Sequence, residues 1–198
     1  MSGTKQKSSP RDRIVATAKD LFYRQGFHAT GINQIIKEAG VAKASFYDHF
    51  PSKDDLLVAY AAEVARRESA DIRNAVNQYP TAQARFFGLL DMLIPWFEMT
   101  NYRGCNFQIL MTEVSPEATR VHEIAKMHLE SLRMYIRELA MDLKNSDPKY
   151  AHLDPDTLAT TYQVIFEGAI SISASLKNAG PVLHAREVIA NLVNRPPG

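Results

Sequence analysis

Apolar residues recur at three- and four-residue steps along almost the whole chain, the period of helices that bury one face. Ile14, Ala18, Leu21 and Phe22 make such a stripe between a start at Ser9 and a stop at Gly26, with Pro10 in the first turn and Asp12 at the capping-box position. A second helix starting at Thr30 or Gly31 carries Ile32, Ile35, Ile36 and Ala39 on one face. Gly40 then permits a sharp turn and Val41 fills the angle. Ala42 to Phe50 makes a third helix with Phe46 and Phe50 turned inward. Pro51 ends it, and Ser52 with Asp55 caps a long fourth helix reaching about Gln78. A fifth runs from Thr81 to about Thr100, and Pro95 inside it predicts a kink or break. A sixth spans Cys105 to about Val114, and a seventh starts at Ser115 and Pro116 and reaches about Lys144. The eighth extends from Asp154 and Pro155 to near Asn178, and the ninth from Pro181 to about Asn194. No strand hairpin, internal repeat or low-complexity domain interrupts this pattern. The chain reads as all-α, with about nine helices.

The turn at Gly40 carries the first chemistry. With Phe46 and Phe50 inward, the third helix turns Lys43, Ala44, Ser45, Tyr47, Asp48 and His49 outward. Such a small, polar and aromatic face suits the major groove, where these groups reach base edges and phosphates. Lys53, beside the next helix start, suits a phosphate. Spacing alone leaves a second reading open, since a glycine between two short amphipathic helices is also an ordinary corner of an all-helical protein.

The residues taken together say more. Ala39-Gly40-Val41, then Ser45, Phe46, Tyr47, Asp48, His49, Phe50, Pro51-Ser52-Lys53 and Leu56-Leu57 resemble the tetracycline-repressor (TetR) family of bacterial transcription regulators. The likeness continues upstream through Leu21 to Phe27 and covers roughly the first third of the chain. One departure is Gly31, where the family more often has threonine or serine, which removes a phosphate-facing hydroxyl. The resemblance implies an N-terminal three-helix helix-turn-helix DNA-binding domain over residues 1–53. It also implies a C-terminal helical domain for ligand binding and dimerisation over residues 54–198. The DNA-facing set is then Asn33, Lys43, Ala44, Ser45, Tyr47, Asp48, His49 and Lys53. Tyr47, His49 and Lys53 would hold phosphates, Lys43 would read guanine and Ala44 a thymine methyl. Asp48 would accept from a cytosine amino group or neutralise a neighbouring lysine.

Charge agrees with this polarity. The 198-residue chain has a formal net charge of +1, but through Lys53 nine basic residues face four acidic ones, so the remainder is acidic. A basic head on an acidic body attracts phosphate at one end only. The N-terminal MSGTKQKSSPRDR lacks an apolar signal core and is expected to be a disordered basic arm able to touch the DNA backbone or minor groove. Asp91 and Glu167 interrupt the best candidates for a membrane span. Cys105 is the single cysteine, which excludes an intrachain disulfide and points to a reducing, cytoplasmic compartment. No second thiol is present to resolve an oxidised Cys105.

In the body, Trp96, Phe97, Tyr102, Asn106, Phe107, Leu110, Met111, Met127, His128, Tyr135, Tyr162 and Phe166 are the candidate lining of an adaptable apolar pocket, with Glu113 and Glu167 as scattered polar groups. For any one of them core packing is the blander alternative. The eighth helix has apolar residues on more than one face, which predicts a homodimer through the eighth and ninth helices, using Ile165, Ala169, Ile172, Leu176, Val188 and Leu192. Two heads about one DNA turn (~34 Å) apart would meet a near-palindromic operator. The function expected is a repressor released by a small apolar molecule, with an activator of the same fold as the alternative. A rival class is an all-helical enzyme using His128 with Glu113 or Glu167. Against it, no nucleophile sits beside a histidine at motif spacing, and there is no glycine-rich phosphate loop and no metal-ligand motif. No cofactor or metal is expected. A protein-binding adaptor would leave the basic head unexplained.

Overall fold

The computed structural model describes residues 8–195, and all regular structure among them is helical. The elements are α1 (Pro10–Gln25), α2 (Ile32–Ala39), α3 (Lys43–His49), α4 (Lys53–Val76), α5 (Ala82–Asp91), α6 (Leu93–Met99), α7 (Asn106–Glu113), α8 (Thr119–Ser146), α9 (Pro155–Leu176) and α10 (Gly180–Asn194), with a single 3₁₀ turn at Pro148–Tyr150. The sequence pattern reads α5 and α6 as one kinked helix. The break falls at Met92, because Pro95 has no N–H for the carbonyl of Asp91 and its ring crowds that carbonyl. The expected start of α8 at Ser115 also moves. Residues 115–118 form a turn closed by the Ala118 N–H on the Ser115 carbonyl at 3.0 Å, and the helix proper begins at Thr119. Of the expected disordered arm, residues 1–7, with Lys5 and Lys7, lie outside the described residues, whereas Pro10 to Arg13 are corrected to the first turn of α1.

Two compact units result. One holds the chain up to Ala65 together with Ile109–Ala125, so it takes in the first half of α4 and the α7–α8 corner. The other holds Arg66–Gln108 and everything from Lys126 onward.

In the first unit α1, α2 and α3 pack on one another through Ile14, Ala18, Leu21, Phe22, Ile35, Phe46 and Phe50, all buried. Leu56, Leu57, Tyr60 and Val64 of α4 complete this core. Phe22 sits edge-on to both Phe27 and Tyr60, with ring centroids 5.2 Å apart in each pair. The caps follow the sequence. Ser9 accepts the Asp12 N–H at 3.1 Å, and Ser52 accepts the Asp55 N–H at 3.1 Å while its hydroxyl donates to the Asp55 carboxylate at 2.7 Å.

In the second unit the core is built from α5, α6, α8, α9 and α10 around Phe86, Leu89, Leu90, Phe97, Ile136, Tyr162 and Ile189, each fully buried or nearly so. Tyr162 donates its hydroxyl to the Phe86 carbonyl at 2.9 Å. Arg186 of α10 meets Asp91 at 2.6 Å and lies over the Phe87 ring at 5.0 Å, fixing α10 on α5.

Replacing Phe46 by alanine in the full chain should cost ~3–5 kcal/mol of first-unit stability, and Ser52→Ala ~1 kcal/mol, both read from urea unfolding. Acid should act through Asp55, whose carboxyl is held below its ordinary 3.8 by the Ser52 hydroxyl and then by Arg120. Because the folded value is the lower one, this contribution is complete above 3.8 and is lost as pH falls through the folded value. Asp55→Asn should therefore flatten the acid limb of the unfolding curve.

Candidate nucleic-acid face and internal cavity

The turn between α2 and α3 depends on Gly40, whose left-handed backbone (φ 62, ψ 42) closes α2. Arg13 of α1 braces it from outside α2, donating through Nε to the Ala39 carbonyl at 3.2 Å and through Nη2 to the Gly40 carbonyl at 3.5 Å. Two helix-end carbonyls are thereby satisfied. On α3 the aromatic pair Phe46 and Phe50 is buried, at 0 % and 3 % exposure, which turns the opposite side out. Lys43, Ala44, Asp48 and His49 are exposed, Ser45 is half-buried, and Tyr47 keeps 42 % exposure with its ring edge-on to Phe46 at 5.3 Å. Asn33 is exposed on α2. The structure thus brings seven of the eight sequence-derived DNA-facing residues to solvent on α2 and α3.

Lys53 is the exception. Its ammonium donates to the Phe27 carbonyl at 2.5 Å and lies 4.1 Å from the centre of the Phe27 ring. Burial lowers its pKa, with Asp54 and Glu113 acting the other way. The bond to Phe27 braces the α1–α2 turn and uses one of the three donors of the half-buried ammonium, leaving two for the expected phosphate.

The same turn explains two further residues. Gly26 has φ 91, a backbone conformation that favours glycine, and the Glu113 carboxylate lies against it, 2.7 Å from where a Cβ would stand. Glu113 accepts the His28 backbone N–H at 3.0 Å, and the His28 ring Nε2 lies 2.7 Å from the Glu113 carbonyl oxygen. Beside them a cleft of about 370 Å³ is lined by Phe27, His28, Asp54, Leu57, Val58, Glu113 and residues 114–121. On this wall Glu113 is engaged by His28, and Arg120 by Asp55 at 3.0 Å. Among the described residues, no buried side-chain atom left without a partner belongs to this unit.

The second unit holds a smaller cavity, about 130 Å³, lined by Glu68, Asp71, Ile72, Met92, Leu93, Trp96, Cys105, His128, Leu132, Phe166, Glu167 and Ile170. Trp96, His128 and Phe166 of the sequence-derived pocket set are on its wall. Asn106 and Phe107 stand behind the wall. The Asn106 side-chain N–H₂ donates to Glu68 at 2.6 Å, and Phe107 stacks on the His128 ring at 4.4 Å. Glu68 also faces His128 Nε2 at 3.5 Å. Glu167 accepts from Gln108 at 2.8 Å, and burial raises its carboxyl pKa against that bond. Burial lowers the pKa of His128, which keeps its ring neutral.

The remaining pocket candidates fall elsewhere. Phe97 and Tyr162 belong to the packed core, and Tyr102 stacks on Phe97 at 5.1 Å. Met127 is 65 % exposed. Leu110 and Met111 belong to the first unit, and Tyr135 lines a separate void of about 10 Å³. These corrections share one cause. Aromatic and methionine residues at helical spacing identify an apolar face, and core, cavity and surface all take such faces. Glu68, Asp71 and Ile72 of α4 were missed, although Glu68, Ile72 and Val76 continue the buried stripe of α4 at four-residue steps with a carboxylate on it.

Of the expected dimer residues, Ile172, Leu176 and Leu192 are exposed at 52 %, 59 % and 39 %, while Ile165 and Val188 are half-buried. Ala169 is corrected. It lies on the inward face of α9 with Tyr162, Phe166, Ile170 and Ser173, in the core of its own chain. Val164 and Leu183 are further exposed apolar residues on α9 and α10.

Comparison with known proteins adds the family. Residues 14–60 match the family described as bacterial regulatory proteins, tetR family. Over 93 % of its length the chain is 29 % identical to the HTH-type transcriptional regulator LmrA of Bacillus subtilis, covering 97 % of that protein. It is 26 % identical over 96 % of its length to YxaF of the same organism, an HTH-type transcriptional regulator, again covering 97 %. A TetR-family transcriptional regulator of Streptomyces coelicolor superposes with a TM-score of 0.77 at 25 % identity, covering 95 % of this chain and 91 % of that one. No helix among the described residues is long and apolar enough to cross a membrane.

Burial and the nearby Glu68 and Glu167 carboxylates push the Cys105 thiol up to about 12. A thiol so rarely ionised near neutrality is a poor nucleophile. Native protein at pH 8 should resist iodoacetamide at Cys105, whereas urea-unfolded protein should be labelled fully, as read by intact mass.

Proposed function

The chain belongs to the TetR family of bacterial regulatory proteins, and we propose that it is a repressor that grips a near-palindromic operator as a homodimer and lets go when a small molecule fills the α4–α6–α8–α9 cavity. The observation that carries DNA recognition is the outward face of α3. Behind it two buried phenylalanines fix the helix, and in front of it Lys43, Ala44, Ser45 and Tyr47 stand free of the packed core. Lys43 and Ala44 reach base edges, Ser45, Tyr47 and His49 hold the backbone, and Asn33 adds a contact from α2. Asp48 either accepts from a cytosine amino group or tempers the attraction to phosphate.

Dimerisation uses the outer faces of α9 and α10. Val164, Ile172, Leu176, Leu183 and Leu192 all expose large apolar surface there, which a two-fold helix packing would cover. The ligand acts only through a difference in affinity between two states of the dimer. α4 has residues in both compact units, so it is the covalent route by which a change at Glu68 to Ile72 reaches the head. The alternative as a histidine enzyme fares worse. The ring of His128 is buried and neutral, and Glu113 is committed to His28. The site of action is the cytoplasm, where the operator is.

Selecting duplexes from a random pool with the full-length protein should yield an inverted repeat whose affinity falls steeply with salt. Tyr47→Ala should weaken every duplex alike, whereas Lys43→Ala should cost ~1–3 kcal/mol at one base pair and change the preferred base there. Uniform loss in Lys43→Ala would contradict its base-reading role. Ile172→Glu should give a monomer in sedimentation and abolish tight binding to the inverted repeat.

A further inference from the structure

On the reading of α3 as the operator-facing helix, we propose that Glu113, at the α7–α8 corner, is a positioning residue for DNA binding. It clasps the α1–α2 turn at His28 and so sets how α2 and α3 are offered to the operator, without touching DNA itself.

α2 does not fix its own position. It has eight residues, too few for a helix to persist alone, and Gly31 at its start gives no side-chain cap. Both ends are held from outside. At the C-terminal end Arg13 donates to the Ala39 and Gly40 carbonyls. At the other end the turn from Gly26 to Gly31 leads straight into the first residue of α2, so the placing of this turn places the helix. Lys53 holds the Phe27 carbonyl, and Thr30 donates its hydroxyl to the Gly26 carbonyl at 2.7 Å.

A further hold on the same turn comes from a residue 85 positions along the chain. The His28 backbone N–H donates to the Glu113 carboxylate at 3.0 Å, and the His28 ring Nε2 lies 2.7 Å from the Glu113 carbonyl oxygen. A carbonyl oxygen only accepts, so the proton is assigned to Nε2, and His28 donates twice to one residue. The first bond fixes the backbone of the turn itself, through a carboxylate, the stronger kind of acceptor. The second closes α7, because Glu113 is its last residue and the carbonyls of a helix end need partners from elsewhere. Glu113 lies in the same compact unit as α1, α2 and α3.

Two plainer roles compete, and each predicts a different outcome. Glu113 acts electrostatically on Lys53, so as a bare charge it would only temper the attraction of the head to phosphate. As the capped end of α7 it would contribute to stability alone. Side-chain length and charge can be varied separately to distinguish them.

Full-length protein is assayed at fixed salt against the inverted repeat it selects and against a random duplex of equal length, with circular dichroism confirming the fold. Glu113→Asp keeps the charge but withdraws the carboxylate by one carbon–carbon bond, ~1.5 Å, which breaks the clasp. It should lose about tenfold on the inverted repeat, because a head without its clasp is in the binding geometry only part of the time. On the random duplex, where charge dominates, it should stay within about twofold. Glu113→Gln keeps the reach and an acceptor oxygen, and should bind the inverted repeat within about twofold of the natural chain. His28→Ala, at an exposed position, removes the ring bond alone and should lose about threefold on the inverted repeat. Tighter binding of both duplexes in Glu113→Gln with Glu113→Asp unchanged overturns the proposal in favour of charge. A lower urea midpoint in Glu113→Asp with operator affinity intact overturns it in favour of the cap, and equal losses in Glu113→Asp and Glu113→Gln overturn it as well. A natural chain that selects no duplex would sink the operator reading along with the clasp, whereas the other failures touch the clasp alone.

Discussion

A helix of seven residues does not persist in water by itself, because the cost of fixing its first turn is not recovered over so few hydrogen bonds. α3 is that short, and α2 is only one residue longer. Everything the head presents to solvent therefore depends on what these helices bury. Phe46, Phe50 and Ile35 are removed from water almost completely, and each such side chain contributes on the order of 1.5–3 kcal/mol. The outward residues of α3 need make no structural contacts, which leaves their chemistry available for a ligand as long and as charged as a duplex. The exposed tyrosine and lysine of α3 and the buried phenylalanines are two consequences of one helical period.

The second unit solves a different problem. Its core is built around Phe86, Leu90, Ile136 and Tyr162, and the Tyr162 hydroxyl donates to the Phe86 carbonyl. The cavity beside it has three carboxylates on its wall, Glu68, Asp71 and Glu167; the Asn106 amide donates to Glu68 and the Gln108 amide to Glu167.

Much of the architecture was legible in the sequence. Caps at Ser9 and Ser52, the glycine stops at Gly26 and Gly40, and the inward Phe46 and Phe50 all act through local chemistry, which a linear pattern records. Long-range choices were not. Nothing near Lys53 in sequence shows that its ammonium is held by the Phe27 carbonyl 26 residues away. The inward face of Ala169 could not be told from the outward face of Ile172, because α9 is apolar on several sides and only the packed neighbours decide which side is covered. Aromatic residues were overvalued as cavity lining for the same reason, and the carboxylates of α4 were undervalued because a charged residue on a long helix reads as solvated surface.

That undervalued helix joins the two functions. α4 contributes Leu56, Leu57, Tyr60 and Val64 to the core of the unit that carries the recognition face, and its next turns contribute Glu68, Asp71 and Ile72 to the cavity wall. Every turn of a helix is tied to the next by hydrogen bonds, so α4 is a continuous link in the chain between residues of the two units. A ligand drawing on Glu68 and its neighbours therefore does work on α4 only to the extent that the two states of the chain place those groups differently around it.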